Sequence, residues 1–355
     1  MKILHVTETL VGGVETYLNT IIPYQAECYG TDNILVLAPQ QHVAEDAPLK
    51  AYYRCFDRPS RSLGSCASLA KLFKQAVIDF DPDVIHIHST FAGVVCRIPG
   101  LITKRSQRKV VYCSHGWCFD GYSGIKAKVF SQIEKVLAYR VSSVINISHH
   151  DFESARQQKI PEHKMVVFEN ALDDLEQDIQ RSENQGMLKL LFVGRLDKQK
   201  GVDLLIEAIR QVDSEVELHI AGASVVSKQQ LNVSDCRVIQ HGWCSQEQLR
   251  ELYASVDALV VPSRWEGFGL VVIEAFRQGL PVVVSDAGAL PSLVAEGSTG
   301  YVFENSNSNA LAKVIGQLDR TTLSEMSQQC REVFVSRFEA KRLNTQLTDL
   351  YAAAD

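Results

Sequence analysis

At 355 residues, with 46% hydrophobic and 22% charged side chains, the chain exceeds what one hydrophobic core organises, so two globular domains are expected. The stretch Lys2-Ile3-Leu4-His5-Val6 shows no secretory leader, apolar runs such as Leu280 to Val284 fall far below the roughly 18 residues of a membrane span, and the nine scattered cysteines lack CxxC or zinc spacing; a cytoplasmic protein with reduced thiols is expected. The net charge of −6 hides an asymmetry: residues 1–168 carry 19 Lys and Arg against 15 Asp and Glu, the remainder 17 against 27.

Short runs rich in Val and Ile alternate with longer amphipathic stretches from end to end, the mark of βαβ units around buried parallel sheets, which predicts the α/β class. In the first half the predicted strands are Lys2–Thr7, Asn33–Ala38, Asp83–His88, Lys109–Cys113 and Ser142–Ile147. Between Val167 and Leu188 the periodicity fails in a polar stretch, so a boundary is placed near Asn170. The second half repeats the theme with strands at Leu188–Val193, Glu217–Ala221, Arg237–Gln240, Ala258–Val261 and Pro281–Ser285. Ser245-Gln246-Glu247-Gln248 reads as a capping box, and Gly279 followed by Pro281 closes a helix. The tail from Thr321 reads as two helices broken around Ser336-Arg337-Phe338. Domains of 1–169 and 170–337 follow, each doubly wound, with a final helix over 338–355 packing back on the first.

Open α/β sheets place ligands beyond the carboxyl ends of their strands, so each loop after a strand is a candidate site. After the first strand come Gly12 and Gly13, where a backbone can approach a ligand at a helix start. No GxGxxG is completed there, and Ala38-Pro39-Gln40 offers no acid for a nicotinamide ribose, which argues against a dehydrogenase. In the second half Gly194-Arg195-Leu196-Asp197-Lys198-Gln199-Lys200-Gly201 brings two cations to a helix N-terminus, an arrangement suited to a diphosphate. Pro262-Ser263-Arg264-Trp265-Glu266-Gly267-Phe268-Gly269-Leu270 follows another strand at the same edge, with Glu274 on the next helix. The amides of Gly269 and Leu270 suit phosphate, Glu274 suits vicinal ribose hydroxyls, and Glu266 faces the next moiety outward.

These motifs together make the chain resemble the family 4 retaining glycosyltransferases, and the match runs in order over nearly its whole length. The resemblance implies a GT-B fold of two Rossmann-like domains facing across a cleft. It further implies a sugar nucleotide, with UDP the expected donor, and transfer to a saccharide or lipid-linked saccharide in cell-surface polysaccharide synthesis. Carried over by motif, Arg195 and Lys200 would hold the diphosphate, Glu274 the ribose and Glu266 the donor-sugar hydroxyls. Gly12, Gly13, Gly267, Phe268, Gly269 and Leu270 would line the donor pocket, Trp243 would flank the base, and His115 would meet the sugar at the reaction centre. Two departures stand out: Asn170-Ala171 where the family often has Asn-Gly, and Ser285-Asp286-Ala287-Gly288-Ala289 in place of a more glycine-rich loop. An inert nucleotide-sugar sensor and a sugar-nucleotide epimerase remain alternatives on the same fold.

No metal cofactor is expected. Asp81-Pro82-Asp83 mimics a DxD motif but precedes its strand, and His86 with His88 lacks a visible third ligand. His149-His150, Trp117 and Trp265 read as cleft-shaping or packing residues. The cations Arg195 and Lys200, with the helix amides, would stabilise the leaving diphosphate. A nucleic-acid partner is not expected. Lys104, Arg105, Arg108 and Lys109, with Lys126, Lys128, Lys135 and Arg140 along Ile125–Tyr139, predict peripheral docking of the first half on an anionic membrane face.

Overall fold

The structure, a computed structural model, describes residues 1–44, 47–58, 60, 62–102, 108–175, 186–212, 215–223 and 235–353. The chain forms two compact units, Met1–Asp173 with Ala340–Asp355, and Asp174–Glu339.

The first unit is built on a parallel sheet of strands β1 (Ile3–Thr7), β2 (Ile34–Pro39), β3 (Tyr53–Phe56), β4 (Val84–His88), β5 (Lys109–Cys113), β6 (Ser143–Asn146) and β7 (Met165–Val167). Helices α1 (Gly13–Tyr29), α2 (Leu63–Phe80), α3 (Thr90–Cys96), α4 (Gly124–Ala138) and α5 (His149–Gln157) make the crossovers. The strand order is β3-β2-β1-β4-β5-β6-β7, so the winding reverses between β1 and β4. Every residue of those two central strands is buried, as expected for strands covered on both faces.

The second unit repeats the plan with β8 (Leu188–Val193), β9 (Val216–Ala221), β10 (Val238–Gly242), β11 (Ala258–Val261), β12 (Val282–Ser285) and β13 (Gly300–Phe303). Its helices are α6 (Val202–Gln211), α7 (Gln246–Ser255), α8 (Leu270–Arg277), α9 (Leu290–Leu293), α10 (Ser308–Gly316) and α11 (Arg320–Val333). The order β10-β9-β8-β11-β12-β13 puts the reversal between β8 and β11. α7 opens with the capping box of Ser245 and Gln248. A π-helical turn, Phe334–Phe338, ends α11, and α12 (Ala340–Ala352) follows. α12 belongs to the first unit, where the Ala340 amide donates to the Leu172 carbonyl at 2.9 Å and the Tyr351 hydroxyl meets His86 Nδ1 at 2.7 Å.

Three strands are absent from the sequence-based expectation: β3, β7 and β13. All three are edge strands, short and half exposed, so they lack the continuous apolar run that marks a buried strand.

Candidate active site

An open α/β sheet leaves a crevice for a ligand where its winding reverses, and several residues singled out from sequence lie on loops at or beside that point in each unit. In the second unit these loops are residues 194–201 after β8 and 262–269 after β11. Their close approach depends on glycine: Gly201 lies at φ +69, and a Cβ there would stand 2.0 Å from the Pro262 carbonyl oxygen. Arg264 then ties the loops, its guanidinium donating to both carboxylate oxygens of Asp203 at 2.8 and 2.7 Å and to the Lys198 carbonyl at 2.9 Å.

Lys200 and Glu266 meet in this frame. The ammonium lies 2.5 Å from Glu266 Oε2, with the side chains 20% and 12% exposed, and Ser263 Oγ donates to the same oxygen at 3.3 Å. Arg195 is turned toward its own loop, donating to Gln199 Oε1 at 2.7 Å and lying 3.1 Å from Asp197, with its side chain 47% exposed. Glu274 accepts a hydrogen bond from the Tyr253 hydroxyl at 2.9 Å. Burial pushes the Glu274 carboxyl up from its ordinary range, while the Tyr253 hydrogen bond, Arg277 and Lys200 pull it back. Tyr253 is not anticipated from sequence: it sits on α7, outside any motif, and only the packing of α7 brings it to Glu274.

Gly269, at φ +105, is the N-cap of α8 and its carbonyl accepts from the Val272 amide at 2.9 Å, so Gly267 and Leu270 stand on either side of a helix start, where backbone amides can meet an anion. The Phe268 ring is 2% exposed and packs edge-on against Phe338 at 6.1 Å, which leaves its backbone to face a ligand. Trp243 is 77% exposed beyond the edge strand β10, and the sheet order sets it two strands away from β8.

In the first unit, Gly12 at φ +71 caps α1, Gly13 begins it, and nothing lies within 4 Å of a Cβ built at Gly12. His115 follows β5 at φ 55, a left-handed conformation uncommon for a residue with a Cβ and one that recurs at functional sites. His115 Nε2 lies 3.0 Å from His88 Nδ1, His88 Nε2 lies 3.0 Å from His5 Nδ1, and His5 Nε2 lies 2.7 Å from Gln25 Oε1. A neutral imidazole carries one ring proton, so this chain has a direction. With the Gln25 oxygen accepting from His5, each histidine donates toward Gln25, and His115 Nδ1 is left as an acceptor.

Neither His5 nor the direction of this chain is legible in sequence. The third histidine beside His86 and His88 comes from the neighbouring strand, where His5 lies opposite His86. Ligand nitrogens of the three lie within 4.8 Å of one another. Both ring nitrogens of His5 and of His88 are already engaged in the hydrogen-bond chain, which competes with their use as metal ligands.

Burial lowers the His5 pKa to about 4 and that of His115 to about 3, against an ordinary value of 6.5. Such a group contributes stability that is complete above the unfolded value and is lost as pH falls from about 6.5 toward the folded value. The His5 share alone is about 3 kcal/mol. Thermal melting of the protein should therefore fall steeply from pH 6.5 to 4, and His5→Gln should flatten that slope; a melting temperature insensitive to pH over this range would contradict the buried neutral chain.

The anticipated non-sites behave as structural groups. Asp83 accepts from the Lys2 amide at 2.8 Å and Asp81 pairs with Arg108 at 2.5 Å, both at the amino edge of the sheet. Trp117 is buried, with its indole N–H donating to Asn146 Oδ1 and the Asp151 carbonyl at 3.1 and 2.9 Å. Of the basic loop expected to meet a membrane, Lys104 and Arg105 lie outside the described residues. The other two are a correction: Arg108 is buried and bonded to Asp81 and the Pro82 carbonyl, and Lys109 reaches the carbonyls of Leu350 and Ala353. Both cations serve the fold of the first unit.

Two parallel sheets with cations and acids at the carboxyl edge of the second define a protein of the GT-B fold. Residues 11–174 match the family model described as Glycosyltransferase Family 4, and residues 173–332 match that of Glycosyl transferases group 1. A protein of the cps region of Klebsiella pneumoniae is 30% identical over 99% of both chains. The UDP-Gal:alpha-D-GlcNAc-diphosphoundecaprenol alpha-1,3-galactosyltransferase of Escherichia coli is 25% identical over 82% of this chain and 79% of its own. Among solved structures, HepE of Anabaena, crystallised with UDP, superposes over 100% of both chains with a TM-score of 0.82 at 24% identity. This chain belongs to glycosyltransferase family 4 and is a glycosyltransferase.

Proposed function

We propose that the protein is a retaining glycosyltransferase that moves a hexosyl or N-acetylhexosaminyl group from a UDP-sugar to a saccharide or lipid-linked saccharide, in cell-surface polysaccharide assembly at the cytoplasmic face of the membrane. The observation that carries this reading is the Lys200–Glu266 pair beside the start of α8, at the reversal of winding in the second sheet. A diphosphate entering there would draw the Lys200 ammonium away from Glu266, freeing that carboxylate to accept from donor-sugar hydroxyls. Arg195, Lys200, and the first-turn amides at Gly269 and Leu270 would then stabilise charge as the diphosphate leaves. Glu274, oriented by Tyr253, would accept from the ribose.

His115, with Nδ1 bare, would accept a hydrogen bond from the sugar or acceptor rather than take a proton, since burial holds its basicity far below neutrality. Retention is supported by the family and by relatives named for alpha-linked products, the outcome that retention gives from an alpha-linked donor. UDP is supported by HepE structures with UDP and UDP-glucose, and a polysaccharide role by the Klebsiella relative from a cps region. GDP is the competing nucleotide, because a Xanthomonas oryzae relative that is 26% identical is named for GDP-mannose.

The test is a panel of UDP- and GDP-sugars with purified protein, with and without EDTA, read by thermal stabilisation and by release of the nucleotide diphosphate. UDP-sugars should stabilise and turn over, EDTA should leave the rate unchanged, and the product should keep the anomeric configuration of the donor by NMR. A strict Mg²⁺ or Mn²⁺ requirement, or isomerisation of donor without transfer, would refute the reading.

A further inference from the structure

Helix α4 carries apolar residues on both faces. Ser131, Glu134 and Ala138 are buried and Ala127 and Phe130 pack partly buried against the core, while Ile125, Val129, Ile133 and Val136 stand 81%, 51%, 37% and 64% exposed. These four lie at i, i+4, i+8 and i+11, so they form one stripe along the outer face. Tyr122 and Tyr139 extend the stripe at its two ends, 51% and 63% exposed. Helical spacing sets Lys128 and Lys135 on one flank and Lys126 on the other, and Arg140 follows the helix. Within α4 every charge but that of Glu134 is positive, and Glu134, the one acid of the helix, is buried.

This orientation is specified rather than accidental. Glu134 Oε2 lies 2.6 Å from Arg97, and its Oε1 accepts from the Tyr112 hydroxyl at 3.0 Å; the Arg97 guanidinium also lies 3.8 Å over the Tyr112 ring. All three side chains are essentially inaccessible to water. Rotating α4 to bury the isoleucines and valines would strand Glu134 in solvent and leave Arg97 buried and unpaired, which is a severe cost. The buried ion pair therefore holds an apolar stripe in the open.

We infer that the outer face of α4 is a docking surface for an anionic lipid bilayer, on which the helix lies in the interfacial plane. The apolar stripe would enter the acyl boundary, the flanking lysines would extend their ammonium groups to lipid phosphates, and the tyrosines would sit at headgroup level. No helix among the described residues is long and apolar enough to cross a membrane, so this contact would be peripheral. The occupant follows from charge complementarity: an apolar ridge bordered on both sides by cations matches a surface that is greasy within and negative at its rim. The inference rests on the proposed function for the membrane face, but vesicle binding through α4 is read without any sugar nucleotide, so its failure is distinguishable from failure of the donor reading.

Co-sedimentation of the full chain with vesicles tests it. Phosphatidylglycerol-containing vesicles should bind the protein, pure phosphatidylcholine should not, and added salt should weaken the contact. Changing Ile125, Val129 and Val136 together to Ser should weaken binding more than tenfold at unchanged melting temperature, as should Lys126, Lys128 and Lys135 to Ser. Tryptophan emission from a Val129→Trp variant should shift to the blue with anionic vesicles and report entry of the stripe itself. Equal recovery with neutral and anionic vesicles, or undiminished binding by the apolar triple variant, would overturn the inference. So would concentration-dependent dimerisation through α4 without lipid binding, which would make the stripe a contact between copies.

Discussion

Lys200→Ala is expected to lower kcat/KM by on the order of 10²- to 10³-fold, with most of the loss in kcat, because the lost charge acts where negative charge develops on the leaving diphosphate. The fold should survive. Lys200 and Glu266 are both partly open to solvent, so losing their pairing should cost on the order of 1 kcal/mol in stability. Glu274→Ala should be separable from it: removing a ribose acceptor should raise KM for the donor by roughly tenfold or more, while Tyr253 loses its hydrogen-bond partner. Steady-state kinetics on a UDP-sugar, together with melting curves, measure both. Full turnover by either variant would remove that residue from the site.

Gly288→Ala should damage stability and activity together. Gly288 sits at φ +57, and a Cβ there would stand 2.0 Å from the carbonyl oxygen of Glu266, so the loop that carries the donor-sugar acid would have to move. A non-glycine residue in that conformation costs roughly 1–3 kcal/mol before the clash is counted, and an ångström of displacement at Glu266 is enough for about a 10²-fold loss of rate. Gly297→Ala supplies the control. It has a similar φ of +72 but nothing within 4 Å of the added carbon, so it should show the strain alone, about 1 kcal/mol, with normal activity. Equal behaviour of the two variants in melting and kinetics would mean that close approach of these loops does not position Glu266.

Much of the fold and half of the site are legible in the sequence, for a local reason. Central parallel strands are covered on both faces and are largely apolar, so β1, β4, β11 and β12 announce themselves, and the loops after β8 and β11 with the start of α8 carry Lys200, Glu266 and Glu274 in contiguous motifs. Of the four edge strands, β10 is anticipated, while β3, β7 and β13 escape, since a strand with one open side needs no continuous apolar run and these three are only three or four residues long. The remainder is set by pairings between distant segments. Only the register of β1 on β4 brings His5 beside His86 and His88 and gives the chain to His115 a direction. Only packing shows that Phe268 belongs to the core, that Arg108 and Lys109 bind their own fold, and that Tyr253 holds Glu274. α4 makes the same point from its periodicity. Its apolar stripe is written in the spacing of Ile125, Val129, Ile133 and Val136, yet a stripe at that spacing ordinarily faces a core, and the buried pairing of Glu134 with Arg97, 37 residues away in the chain, turns it outward.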